Sequence, residues 1–142
     1  MSRKIFVNLP VVDLDVAKAF YAALGFTNEP KFTDGTAACM VWSEAIMVML
    51  LTHAKWREFT TRPIPDTGSS EVMLAISFDD KAAVHAITDA AGANGGIADV
   101  NPAQDHGFMI GRDFADPDGH VWEAFWMDPA MPETGIQDNA GA

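Results

Sequence analysis

The sequence has little positive charge, a single cysteine and no long hydrophobic run. Its 142 residues include 9 Lys and Arg against 20 Asp and Glu, a formal net charge of −11. Nucleic acids and anionic membranes are bound mainly through excess Lys and Arg, so neither is an expected partner. No apolar run approaches the roughly 18 residues that a membrane-spanning helix needs.

The single cysteine, Cys39, excludes an intramolecular disulfide and is typical of a reducing compartment. The N-terminal apolar run is interrupted by Asn8 and Pro10 and lacks a small-residue cleavage site, so it does not predict a signal peptide. Hydrophobic residues make up 49% of the chain, which is enough to build the core of one domain. We therefore expect a soluble cytoplasmic protein.

The order of predicted elements repeats along the chain. A first strand, "KIFVNLPVVD", precedes a helix over "DLDVAKAFYAALGF" and three strand-like runs, "TNEPKFTD", "GTAACMVW" and "EAIMVMLL". The order then starts again: the strand "EVMLAISF" precedes a helix over "DDKAAVHAITDAAGANGG" and the strand-like runs "IADVNPA", "GFMIGRDFA" and "HVWEAFWM". The pattern predicts one domain over residues 1–130, with modules at about 4–53 and 71–128 joined by a linker at about 54–70. Residues 131–142 are predicted to be a loosely ordered tail.

One charged residue, Glu123, interrupts the strongly apolar strand "HVWEAFWM". Because side chains alternate between the two faces of a strand, Glu123 shares a face with Val121, Phe125 and Met127. A carboxylate buried alone is costly. We therefore expect a metal, a hydrogen-bonding partner, a raised pKa or a water-filled cavity at Glu123.

The duplicated βαβββ unit, with "LPVVDLDVAKAFYAALGF" near one end and "DFADPDGHVWEAFWMD" near the other, resembles the vicinal oxygen chelate superfamily. This superfamily contains glyoxalase I, bleomycin-resistance proteins and extradiol dioxygenases. The resemblance covers roughly residues 4–128 and implies an α+β fold in which two βαβββ modules form a cup-shaped mixed sheet. It also implies a small-molecule ligand in the cup between the modules, and a homodimer.

In metal-dependent members of the superfamily, the ligands come from the first and last strands of each module. The internal repeat puts Asn8, Met49, Met73 and Glu123 at these positions, and only Glu123 has the usual His or Glu chemistry. An amide and two thioethers are poor ligands for hard or borderline ions. No metal or other cofactor is therefore expected, with a Zn, Ni, Mn or Fe ion as the alternative.

Other side chains are candidates for contact with a ligand. Trp42 is expected to form a wall of the cup, His53 to stand at its rim and His106 to reach it from a loop. Each also has a structural interpretation, since a loop histidine is usually only solvated and an aromatic residue usually packs in the core. The Met-rich lining around Met49 and Met73 is either adaptable core packing or a compliant pocket.

Two functions are compatible with these patterns. The first is a protein of the bleomycin-resistance type that binds an aromatic or cationic small molecule in an acidic, Met-lined cup, with the usual metal ligands replaced. The alternative is a glyoxalase-like lyase or isomerase, or a dioxygenase-like enzyme. There, Glu123 would accept a substrate proton with or without a divalent metal. The sequence leaves open whether the protein is an enzyme.

Overall fold

The computed structural model describes residues 3–130, which form two β-sheets with three α-helices. The predicted tail, 131–142, lies outside the described residues. The first half contains β1 (Ile5–Val11), α1 (Leu14–Ala23), β2 (Thr27–Glu29), β3 (Ala37–Ser43), β4 (Ile46–Thr52) and α2 (His53–Phe59). The second half contains β5 (Met73–Phe78), α3 (Lys81–Ala93), β6 (Ile97–Ala98), β7 (Gln104–Asp105), β8 (Met109–Ala115) and β9 (Val121–Met127).

Each half builds its own mixed sheet, which confirms the predicted α+β fold with a duplicated strand and helix order. The first sheet has the order β1-β4-β3-β2, and the second has the order β5-β9-β8-β6 with β7 also paired to β8. In both sheets the first strand pairs in parallel with the last strand, and the remaining pairs are antiparallel. Among residues 3–130, no helix is long and apolar enough to cross a membrane.

The helix boundaries follow from local signals in the sequence. The Asp13 side chain accepts a hydrogen bond from the Val16 N–H and caps α1, and Asp80 caps α3 in the same way through the Ala83 N–H. The chain leaves α1 through Gly25, whose φ of 105° lies in the left-handed region that glycine adopts without a steric penalty. An Asp before a helix and a Gly after it are local start and stop signals of the kind seen here.

Two predicted strands are shorter than expected. In "TNEPKFTD" only Thr27–Glu29 is a strand, because Pro30 lacks an N–H for the ladder and begins a 3-10 turn. In "IADVNPA" only Ile97–Ala98 pairs, and the chain turns away at Asp99, which has a φ of 54°. Both corrections come from backbone conformation rather than from hydrophobic pattern.

The two sheets share one hydrophobic core, which contains α1 and α3. The Tyr21 ring centroid lies 5.1 Å from that of Phe26 and 6.0 Å from that of Trp122, so side chains of both halves meet in this core. The core takes one face of each sheet. The opposite faces, called here the open faces, carry the alternate side chains of each strand, and they include Asn8 and Glu123.

The turn between β8 and β9, "DPDGH", ties the second half of the chain to the first. Asp116 is buried and accepts a hydrogen bond from the Tyr21 hydroxyl. Asp118 accepts a hydrogen bond from the backbone N–H just after β1, at 2.8 Å, and the His120 Nε2 donates to the Pro10 carbonyl oxygen at 2.7 Å. Three side chains of this motif therefore fix how the two halves pack.

Candidate functional site

The four predicted cup positions form two pairs on different sheets. Asn8 and Met49 are register partners on β1 and β4 of the first sheet. On the second sheet, Met73 pairs with Val121 of β9, two positions before Glu123. Strand pairing places the two cup positions of each sheet on adjacent strands. Among the described residues of one chain, no strand pairing links the first sheet to the second.

Glu123 has a carboxyl neighbour, Asp113, directly opposite on β8. Asp113 is buried, with 8% of its surface exposed. Burial, followed by the charge of Asp113 and a hydrogen bond with it, raises the pKa of Glu123 above its ordinary value. Two of the four expected environments for a buried carboxylate, a hydrogen-bonding partner and a raised pKa, therefore occur together in this acidic pair, Asp113 and Glu123.

A third polar side chain, Asn101, holds the acidic pair in place. Its Nδ2 donates to the Asp113 Oδ2 at 2.7 Å and also lies 4.0 Å from the Met73 sulfur. The loop that carries Asn101 is itself attached to β8, because the Val100 N–H donates to the Asp113 carbonyl oxygen at 3.1 Å. Asp113 is thus positioned from both its main chain and its side chain.

The sequence contained a signal for Asp113 that strand parity alone did not reveal. Asp113 and Glu123 are equally spaced on either side of Asp118, in the turn that joins β8 to β9. A hairpin centred on this turn places the two carboxyl groups opposite each other, as the register shows. Asn101 gave no such signal, because its contact depends on the path of an irregular loop.

The donor chemistry around Glu123 does not fit a resident divalent metal. Two carboxyl groups in mutual contact, one of them held by Asn101, stand beside a thioether and have no imidazole ligand near them. Within the described part of the chain, no group of three or more His, Cys, Asp or Glu side chains is arranged to hold a metal ion. A catalytic metal site normally has three protein ligands or more.

The predicted role of Trp42 as a wall of the cup stays a prediction, and the structure shows this side chain packed against the core. Trp42 lies on the core face of β3, where its ring centroid is 4.9 Å from that of Phe26 and 5.6 Å from that of Phe78. It shares this face with Met40, which is fully buried. The aromatic ring is used for packing between the two halves and does not face Met49 or Glu123.

The two candidate histidines lie apart from the acidic pair. His53 begins α2 and lines a small cavity of about 400 Å³ together with Arg57. His106 is exposed in the loop before β8, where its Nε2 is 3.4 Å from the Gln104 side-chain oxygen and its ring stacks on Phe108. Neither has a hydrogen bond to the four cup positions among the residues described.

Cys39 is a buried thiol on the strand next to Met49. Burial, followed by the negative charge of Glu29, raises its pKa above the ordinary value. A thiol with a raised pKa is mostly protonated at neutral pH and is a poor nucleophile. Cys39 therefore acts as a small buried residue of the fold.

A cavity of about 750 Å³ is separate from the acidic pair. We call it the linker cavity, because residues of the 60–71 segment form one wall and the edges of β1 and β5 form the others. Asn8 lines it, together with Trp56 of α2 and Val121 of β9, whereas Glu123 and Asp113 do not. Asn8 is the only predicted cup position that lines this cavity.

Comparisons with known proteins agree with this architecture. The family model described as "Bleomycin resistance protein-like N-terminal" matches residues 3–43. A search of curated proteins finds no match. Among solved structures, a hypothetical protein from S. aureus has a TM-score of 0.74 and 23% identity, covering 89% of this chain and 95% of that one.

Two further similar structures have names that state the group of proteins to which they belong. A glyoxalase/bleomycin resistance protein/dioxygenase family enzyme from Burkholderia phytofirmans has a TM-score of 0.72 and 16% identity, covering 89% of this chain and 99% of that one. A bleomycin resistance determinant encoded on transposon Tn5 has a TM-score of 0.61 and 20% identity, with the same coverage.

These likenesses define the fold. The chain has the architecture of the glyoxalase/bleomycin resistance/dioxygenase proteins, and the predicted resemblance to the vicinal oxygen chelate superfamily is confirmed at the level of the fold. The matching family model shows that residues 3–43 are similar to the N-terminal part of bleomycin-resistance-like proteins.

Proposed function

We propose that this protein binds a small cationic organic molecule, without a resident metal, at the open face of the second sheet. The observation that carries the proposal is the acidic pair. Asp113 and Glu123 meet on a face where the neighbouring Met73 is 58% exposed. Residues 3–130 contain no group of three or more His, Cys, Asp or Glu side chains that could hold a metal beside this pair, and their ion pairs leave both carboxyl groups without a cation.

The chemistry of this face favours a cation with an apolar body. An ammonium or guanidinium group can pair with two adjacent carboxyl groups and forms charge-assisted hydrogen bonds with them. Met73 and Phe125 lie on the same face and supply an adaptable apolar surface. The net charge of −11 adds a long-range attraction for cations.

We further propose that a second copy of the chain completes the cup. β1 and β5 are edge strands of their sheets, and free strand edges readily pair with another chain. The exposed apolar residues beside these edges are Ile5, Phe6, Val72 and Met73. A homodimer that covers these edges would bring the Asn8 and Met49 face of one protomer toward the acidic pair of its partner. The single buried thiol supports a cytoplasmic location for this assembly.

Isothermal titration with metal-free bleomycin tests this function. The wild-type protein, in buffer with a chelator, is expected to bind the cation saturably, and both Glu123→Gln and Asp113→Asn should weaken binding by at least about tenfold. Glu44→Gln is the matched control, because Glu44 is exposed in the turn between β3 and β4. Equal affinity in all four proteins, or no binding by any of them, would contradict the proposal.

One observation favours the enzymatic alternative. The raised pKa of Glu123 is the property expected of a carboxylate that accepts a substrate proton near neutral pH. An assay with the hemithioacetal of glutathione and methylglyoxal, with and without added divalent ions, tests it. Turnover that Glu123→Gln abolishes and Glu44→Gln preserves would replace the binding function with a glyoxalase-like one.

A further inference from the structure

The linker cavity is a second candidate ligand site, separate from the open face that carries Glu123. Its volume of about 750 Å³ lies within the range of about 300–1,000 Å³ found for small-molecule pockets. Three separate parts of the chain build it: the edge of β1, the segment after α2, and the strands β5 and β9. It therefore depends on the packing of the two halves and on the linker.

Much of the cavity wall is apolar and rigid. Pro10 and Val121 contribute from the two sheets, and Pro63 and Pro65 contribute from the linker. The Trp56 ring adds an aromatic surface. Proline and tryptophan side chains lose little conformational freedom when a ligand binds, so this wall suits an aromatic or branched hydrocarbon group.

The same cavity is lined by side chains that can donate hydrogen bonds to a ligand. The Trp56 indole N–H is buried and has no acceptor among residues 3–130, although a buried indole N–H usually has one. Arg62 also lines the cavity, and the described ion pairs do not include its guanidinium group. His120, a third lining residue, already donates a hydrogen bond to the Pro10 carbonyl oxygen.

The charged residues of the cavity wall also limit the charge that a ligand can carry. Glu71 is the one carboxylate that lines the cavity, and it disfavours a ligand with a second negative group. We propose that the linker cavity binds a small monocarboxylic acid with an aromatic or branched apolar body. Its carboxylate accepts a hydrogen bond from the Trp56 indole and pairs with Arg62.

Titration with phenylacetate tests the proposal. The titration is monitored through the backbone and indole N–H signals in ¹H–¹⁵N NMR spectra. The indole signal of Trp56, assigned from a Trp56→Phe variant, is expected to move saturably on addition of phenylacetate. Phenethylamine, which replaces the carboxylate with an ammonium group, should leave it in place. Arg62→Gln should weaken phenylacetate binding by at least about tenfold, the scale of one charge-assisted hydrogen bond.

Two further variants separate this site from its surroundings. Arg57→Gln is the matched control, because Arg57 lines the smaller neighbouring cavity but not this one. Glu123→Gln should leave phenylacetate affinity unchanged, so this test and the bleomycin titration succeed or fail independently. An unmoved Trp56 signal, equal binding of phenethylamine, or an equal loss in Arg57→Gln would overturn the proposal.

Discussion

At the scale of single residues, the partly buried charge in β9 is explained by its neighbour. Glu123 lies opposite Asp113, and Asn101 holds Asp113 through a 2.7 Å hydrogen bond. The raised pKa of Glu123 means that its protonated form is favoured in the folded protein. The pair is therefore a place where protonation state and stability are linked.

This linkage predicts a pH-dependent stability that Glu123→Gln removes. A carboxyl group whose folded-state pKa is raised stabilises the fold at low pH, and this contribution is lost as pH rises from its ordinary value of 4.5 through the raised one. At pH about 8 the neutral variant should be more stable than wild type by about 0.5 kcal/mol, as for like charges opposite each other on paired strands. Urea denaturation across this pH range measures the effect.

Glu44→Gln provides the control for that measurement, because it removes the same charge from an exposed turn. Its stability should follow the wild-type pH dependence. If Glu123→Gln also follows the wild-type dependence, the two carboxyl groups do not interact as described.

A second residue-scale prediction concerns the only tyrosine. The Tyr21 hydroxyl donates to buried Asp116 and accepts a hydrogen bond from the Trp122 indole at 3.0 Å. Tyr21→Phe leaves both partners short of a hydrogen bond inside the core and should cost about 1–3 kcal/mol of unfolding free energy. Chemical denaturation measures the loss, and an unchanged free energy of unfolding would show that this network does not stabilise the fold.

Individual site residues could be predicted only where local patterns decide them. The Asp13 cap follows from a local helix signal, and the face of β9 on which Glu123 lies follows from strand periodicity. Asp113 was missed, although the hairpin register could have revealed it, and Asn101 depends on an irregular loop. The core packing of Trp42 could not be read from the sequence, because an aromatic side chain suits a cup wall and a core equally well, and it depends on how the two halves pack.

At the scale of elements, the order of strands and helices was predictable because its signals are local. Caps, glycines and alternating apolar residues lie within each element, whereas the shortening of β2 and β6 depends on backbone conformation at Pro30 and Asp99. The turn "DPDGH" has a role that its sequence did not specify. It fastens the second half of the chain to the first and supports the linker.

Gly119 in this turn gives a prediction at the element scale. Its φ is 86°, and a Cβ added there would overlap the carbonyl oxygen of Thr67 in the linker. Gly107 has a similar φ of 80°, but an added Cβ meets nothing within 4 Å. Gly119→Ala should therefore lose more stability than Gly107→Ala, by at least about 1 kcal/mol for the additional steric overlap.

Thermal or urea unfolding of the two alanine variants measures this difference. Because both variants carry the same backbone strain, their difference isolates the contact between the turn and the linker. Equal losses would show that the linker is not seated on Gly119, and that one wall of the linker cavity is incorrectly placed.

At the scale of the whole molecule, the shared core takes one face of each sheet and leaves the opposite face outside that core. The helices and one face of each sheet are buried together, and the predicted cup residues remain on the opposite faces. A single chain therefore presents the two halves of its predicted cup on separate sheets. This arrangement is the physical reason for proposing that a second copy completes the site.

A charged substitution on the β1 edge tests that assembly. Phe6 is 51% exposed beside this edge, and Phe6→Asp should convert a homodimer to a monomer because the new carboxylate would be buried without a partner. Phe32→Asp is the matched control, since Phe32 is 62% exposed in the turn after β2, away from the β1 and β5 edges. Sedimentation velocity measures both, and a monomeric wild type would contradict the proposed dimer.

Proton release on ligand binding tests the central claim most directly. Calorimetric titration of metal-free bleomycin in two buffers of different ionisation enthalpy, with a chelator present, counts the protons that binding displaces. Because the pKa of Glu123 is raised, a cation that binds its ionised form should release protons in wild type and fewer in Glu123→Gln. Binding with no proton release and with unchanged affinity in Glu123→Gln would contradict the account.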